Sequence, residues 1–122
     1  MLPEDSQFKD KSELLIDAST LAESLGISLE QVNKFTHLFI KTAKQNLVEL
    51  ENTIRIQDLK LAALVAHRLK SSSSTVGAQQ FSERCQILES FKDGGDVVQA
   101  KDILHQLQSM LKAIENDMER RI

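Results

Sequence analysis

The sequence has no tryptophan, no tyrosine, one proline, one cysteine and four glycines among its 122 residues. A single cysteine, Cys85, excludes an internal disulfide and points to a reducing compartment. So little proline and glycine leaves few breaks, and with aromatics at 4% the composition favours a few long helices over a sheet. The hydrophobic fraction of 41% is enough for one core of ordinary size. No apolar run approaches the ~20 residues that a membrane helix needs. The stretch from Met1 to Lys11 is polar and acidic, unlike a secretory leader. Charges are well mixed, with a net value of -3 and no dominant basic patch, which argues against nucleic acid as the main partner. These bounds predict a soluble, cytoplasmic, monomeric protein. Its first segment, residues 1–11, reads as a flexible leader, and residues 12–122 read as one helical domain.

What is present is helical periodicity. Leu14, Ala18, Leu21 and Leu25 recur at spacings of 4, 3 and 4, predicting a short helix over 13–25 that Gly26 stops. Ser28 with Gln31 three residues on forms a capping box. The helix it opens carries Val32, Phe35, Phe39, Ala43, Leu50 and Ile54 on one stripe, to about residue 56. Asp58 caps the next helix, and Gly77 ends it. A fourth helix spans Ala78 to Asp93, with Phe81, Cys85, Leu88 and the stem of Lys92 on one face. That position makes Cys85 a buried small hydrophobe. Asp96 caps the last helix, Val97 to about Arg120, whose Val97, Ala100, Leu104, Leu107, Leu111, Ile114 and Met118 alternate by 3 and 4. Short loops make such helices antiparallel neighbours. The expected fold is therefore all-α: an antiparallel up-and-down four-helix bundle with a short extra N-terminal helix.

Residues 64–78 are the centre of the chain. At about 100° per residue, Leu61, Ala62, Val65, Leu69, Ser72 and Val76 gather on one side. His67, Lys70, Ser71 and Ser74 fall opposite, with Leu64 beside them. The four consecutive serines are poor helix formers, but Leu69 and Val76 keep the apolar period across them. Ser72 and Ser73 face or flank the core, where small side chains permit close packing. His37 and His105 also project away from their stripes and read as solvated surface residues. With His67 they lie on three different helices, without an inward carboxylate-x-x-His pattern, so no metal site is expected.

An exposed neutral imidazole is a nucleophile at physiological pH and can accept a phosphoryl group. The step needs position, charge neutralisation and access more than covalent machinery. Lys70, one turn on, can meet phosphoryl oxygens, and Ser71 and Ser74 keep the approach clear. Glu89 flanks the buried stripe of the neighbouring helix. It either accepts the Nδ1 hydrogen of His67, leaving Nε2 free to attack, or is an ordinary exposed glutamate.

The run His67-x-x-Lys70-x-Ser72, followed by Gly77-Ala78 and then Phe81, Cys85, Leu88 and Glu89, resembles the histidine-containing phosphotransfer (HPt) domain family. The resemblance covers nearly the whole chain, from about residue 13 to 118. It implies a four-helix bundle that relays phosphoryl groups between receiver-domain aspartates. On that resemblance His67 is the phosphoacceptor, Lys70 the supporting cation, Gly77 the family glycine that ends the histidine helix, and Glu89 a partner of the imidazole. The family usually has glycine directly after the lysine, where this chain has Ser71; serine is the next smallest polar choice, so docking should survive.

The implied function is a phosphorelay carrier without autokinase activity, since the sequence has no nucleotide-binding glycine loop and no kinase motif. Its implied partners are response-regulator receiver domains and a hybrid sensor histidine kinase. It binds no cofactor of its own, and Mg²⁺ is expected on the receiver. The expected docking ring is Ala63, Leu64, Ser71 and Ser74 for contact, with Lys60, Arg68 and Lys70 for charge. The alternative is a non-catalytic module that binds or sequesters a receiver.

Overall fold

The computed structural model describes residues 16–121, and the expected leader and the first residues of the expected 13–25 helix lie outside them. The described chain forms helices α1 (Ala18–Leu25), α2 (Leu29–Arg55), α3 (Leu59–Thr75), α4 (Gln79–Glu89) and α5 (Val97–Arg121), with a 3₁₀ turn at Ser90–Asp93. Loops 26–28, 56–58, 76–78 and 94–96 connect them. Helices α2 and α3, α3 and α4, α4 and α5, and α5 and α2 pack pairwise, closing a four-helix bundle, and α1 lies against α2.

The helix starts follow local hydrogen-bond chemistry. Ser28 accepts from the Gln31 N–H and Gln31 Oε1 accepts from the Ser28 N–H, each at 3.1 Å, so two donors that the helix leaves unpaired are satisfied reciprocally. Asp58 accepts from the Leu61 N–H at 3.1 Å, and Asp96 accepts from the Val98 N–H at 2.9 Å. Asp17 does the same for Thr20 at 3.1 Å, and that cap sets the start of α1 at Ala18. Two ends need special backbone. Gly77 sits at φ 79 and closes α3, while the Ala78 N–H returns to the Ser73 carbonyl at 2.8 Å. Gln57 takes the same left-handed conformation, φ 64, after α2, although it is not glycine.

The bundle core is one large cluster, and a second, small one of Ala18, Ala22 and Val32 lies where α1 packs on α2. Phe81, Leu50, Ile54, Leu69, Leu88, Leu107, Ile114 and Met118 are each below 2% exposed, and each contributes about 1.5–3 kcal/mol by leaving water. Phe39 and Phe81 meet edge to face, with ring centroids 5.5 Å apart. The α5 seam is buried as its spacing predicts, with Val97 packed partly buried at its start.

Four placements differ from expectation. Phe35 is 50% exposed, and Thr36 is buried instead because its hydroxyl donates to the Val32 carbonyl at 2.8 Å and needs no other partner. Leu25 is 53% exposed, beyond the buried Ala18 and Ala22. Leu61 is 39% exposed, the inward positions of α3 being held by Ala62, Ala63, Val65, Ala66 and Leu69. The fourth helix ends at Glu89, and the tighter turn that follows swings Lys92 into solvent and packs Phe91 on the core.

The left-handed conformation costs a non-glycine residue about 1–2 kcal/mol, of which the unfolded-state freedom of glycine returns about 0.5–1 kcal/mol. Gln57→Gly is therefore expected to stabilise the bundle by about 0.5–1 kcal/mol in urea unfolding. A loss of stability would show that the Gln57 side chain contributes more than its backbone costs.

Candidate functional site

The site is built where α3 meets α4, and small side chains set how close they come. Ser73 is fully buried and donates to the Lys70 carbonyl at 3.1 Å. Ser82 of α4 reaches the same carbonyl at 3.5 Å and shares a 2.7 Å hydrogen bond with Ser74. Ser72 and Thr75 return their hydroxyls to the carbonyls of Leu69 and Ser71. Each hydroxyl is satisfied by backbone or by another hydroxyl, so the serine run stays helical and costs the core no unpaired polar group.

Across this contact α4 delivers its last residue to the middle of α3. Glu89 Oε2 lies 2.6 Å from His67 Nδ1, and Glu89 Oε1 accepts from Lys70 Nζ at 2.6 Å. One carboxylate therefore spans the imidazole and the ammonium. The Glu89 side chain is 26% exposed, Lys70 28% and His67 56%. The hydrogen bond from Lys70 holds the Glu89 carboxyl below the usual carboxylate range; partial desolvation opposes this, and the hydrogen bond to His67 adds to it. An ionised carboxylate only accepts, so the neutral imidazole carries its hydrogen on Nδ1 and keeps its lone pair on Nε2. Beneath the pair, Cys85 is buried and its thiol is pushed up to about 12, chiefly by that burial, with Glu89 adding and Lys70 opposing. It is a neutral packing group rather than a nucleophile.

The structure thus brings together His67, Lys70 and Glu89. Lys60, Leu64, Arg68, Ser71 and Ser74 are exposed along α3. Ala63 is only 3% exposed, because its methyl faces the bundle, and it is removed from the contact ring. The guanidinium of Arg68 pairs with Glu49 of α2 at 3.0 Å, so its charge is partly spent within the chain. Gly77 ends α3 as expected. His37 and His105 are exposed on α2 and α5. Among the described residues, no three His, Cys, Asp or Glu side chains cluster to hold a metal ion, and no helix is long and apolar enough to cross a membrane.

Sequence reasoning missed an apolar groove of about 350 Å³ between α2 and α3. Leu25, Phe35 and Leu38 line it, with Ser72 and Thr75 from the helix that bears His67 and Val76 directly after that helix. Phe35 and Leu38 are 50% and 62% exposed. The available signal was an excess: α2 carries more large apolar residues than one stripe can bury. Ser82 was missed as well, though it lies seven residues before Glu89, two turns away on one face of α4.

Residues 34–117 match the model of the Hpt domain family. No curated protein matches the chain, and no solved structure does.

A carboxyl that ionises more readily folded than unfolded adds stability above the unfolded carboxylate value, about 4.3 for Glu, and that stability fades as pH falls through the lower folded value. The stability difference between wild type and Glu89→Gln should accordingly shrink as pH drops below about 4. Urea unfolding at a series of pH values measures it; a difference independent of pH in that range would contradict the assigned ion pair.

Proposed function

The chain belongs to the Hpt domain family, and from that premise we propose that His67 takes a phosphoryl group from the aspartate of one receiver domain and passes it to the aspartate of another. Hpt domains serve histidine phosphotransfer in two-component signalling, as phosphocarriers rather than as enzymes. The observation that carries the assignment to His67 is its tether. Glu89 fixes Nδ1 at 2.6 Å while the side chain stays 56% exposed, so Nε2 is oriented and open to a partner.

The step requires little of this chain beyond orientation and charge. The Nε2 lone pair attacks phosphorus in line with the departing aspartate oxygen, and the P–O bond breaks as the N–P bond forms. Glu89 steadies the imidazolium that results, and Lys70 offsets the phosphoryl charge. The receiver supplies the aspartate and Mg²⁺. A hybrid sensor histidine kinase carries the upstream receiver, and the chain does not phosphorylate itself. The carrier acts as a monomer in the cytoplasm, in keeping with its mixed surface charge and single buried thiol.

Receiver docking uses two adjoining surfaces. Lys60, Leu64, Arg68 and Ser71 surround His67 along α3. The groove of Leu25, Phe35 and Leu38 lies on the α2 side of the same helix and offers the apolar contact that an exposed charge ring lacks.

His67→Gln is expected to abolish acceptance of label from a phosphorylated receiver, with a melting temperature near that of wild type because the side chain is largely exposed. Wild-type label should be acid-labile and base-stable. Receiver binding without any transfer would instead establish the sequestering role. Leu38→Glu should slow transfer from the receiver by about tenfold, the range of one buried apolar contact, while labelling by a small phosphoryl donor stays unchanged. Equal loss with both donors would remove the groove from docking.

A further inference from the structure

The run Ser71 to Thr75 puts a hydroxyl on every residue of the last part of α3, and all but one of those hydroxyls are already spent. Ser72 donates to the Leu69 carbonyl at 3.2 Å, Ser73 to the Lys70 carbonyl at 3.1 Å and Thr75 to the Ser71 carbonyl at 3.0 Å. Ser74 shares its 2.7 Å bond with Ser82 of α4. Among the described residues, Ser71 Oγ has no such partner. A serine inside a helix commonly returns its hydroxyl to a carbonyl three or four residues back, which here would be that of Arg68 or His67. Ser71 instead stands exposed with its hydroxyl free.

Its place on the helix gives that hydroxyl a direction. Ser71 comes four residues after His67, so the two share one face with about 5–6 Å between their Cβ atoms. Side chains on an α-helix tilt toward its N-terminus, which leans Ser71 toward His67 from the turn behind it. A phosphoryl group on Nε2 would bring three strong acceptor oxygens to this face. Lys70 is a single point charge whose ammonium also donates to Glu89 at 2.6 Å, so it does not saturate them. Arg68 is turned to Glu49 of α2 at 3.0 Å, and Leu64, one turn before His67, has no side-chain donor.

We infer that Ser71 is a phosphoryl-binding residue: its hydroxyl donates a hydrogen bond to a phosphoryl oxygen carried on His67. The inference rests on the proposed role of His67 as phosphoacceptor and adds a neutral donor to it. No covalent bond to Ser71 forms, and the charge of the site is unchanged by its part. A merely steric Ser71 would act on the approach of a partner and leave the bound group as it is.

The test uses the full chain phosphorylated with phosphoramidate and followed by phosphorus NMR across a pH series. A hydroxyl donor favours the more highly charged phosphoryl form. Ser71→Ala and Ser71→Gly should therefore raise the titration midpoint of the phosphoryl group by about half a unit, the range of one net hydrogen bond. Ser71→Thr keeps a hydroxyl and should hold the wild-type midpoint. Glu89, Lys70 and the imidazole are the same in all four proteins, so a difference between midpoints belongs to residue 71. Alanine is the better helix former, so a shift in Ser71→Ala does not come from a weakened α3. A midpoint unmoved in both Ser71→Ala and Ser71→Gly, or raised equally in Ser71→Thr, would overturn the inference and leave the acceptor role standing. Faster transfer from a phosphorylated receiver to Ser71→Gly with that midpoint unmoved would reduce Ser71 to a steric element of docking. An empty phosphorus spectrum with both phosphoramidate and a phosphorylated receiver would overturn the acceptor role, and this inference with it.

Discussion

Two helices can share a carboxylate only if their backbones come close, and here that approach is made by serine. Ser73 and Ser74 of α3 and Ser82 of α4 occupy the seam where larger side chains would hold the helices apart. Their hydroxyls are all satisfied, so the polar seam does not carry the cost of unpaired groups. The end of α4 is thereby carried to the middle of α3, and Glu89 reaches both His67 and Lys70. Everything chemical about the site follows from that contact. A bulkier residue at Ser73 or Ser82 would move the carboxylate away from the imidazole without touching either reacting group.

The remainder of the bundle acts as a frame for this contact. The α5 seam and the fully buried residues of α2 form the wall against which α3 and α4 pack, and the Phe39–Phe81 pair ties α2 to α4. Surface ion pairs such as Lys44–Glu115 and Arg68–Glu49 join neighbouring helices, but exposed pairs contribute about 0–1 kcal/mol. Burial in the frame supplies rigidity. The site keeps only a partly buried triad, which is enough to fix a tautomer while leaving one ring nitrogen in water.

Much of the fold was legible because helix caps and apolar periods are local signals. Ser28 with Gln31, Asp58, Asp96 and Gly77 each mark a helix end through hydrogen bonds spanning two to five residues. The α5 seam reads directly from its spacing. Three of the misplacements share a cause. Periodicity assigns Phe35, Leu25 and Leu61 inward, yet which side of a wide stripe is covered depends on where neighbouring helices lie, whereas Lys92 turns outward because α4 gives way to the 3₁₀ turn after Glu89. The apolar groove is the same effect seen from outside: α2 holds more apolar surface than α1 and α3 cover.

The chemistry-bearing residues were visible in the same uneven way. The sequence by itself determined that His67 and Lys70 share the outer face of one helix, because residues three apart on an α-helix are neighbours whatever surrounds them. It also determined the helix count, the caps and the all-α class. Only the tertiary structure decided that Glu89 meets both side chains, that Lys70 is already paired at rest, and that Ala63 is buried. Those facts lie between helices, at a separation set by packing of side chains distant in the chain, and no local period encodes that distance.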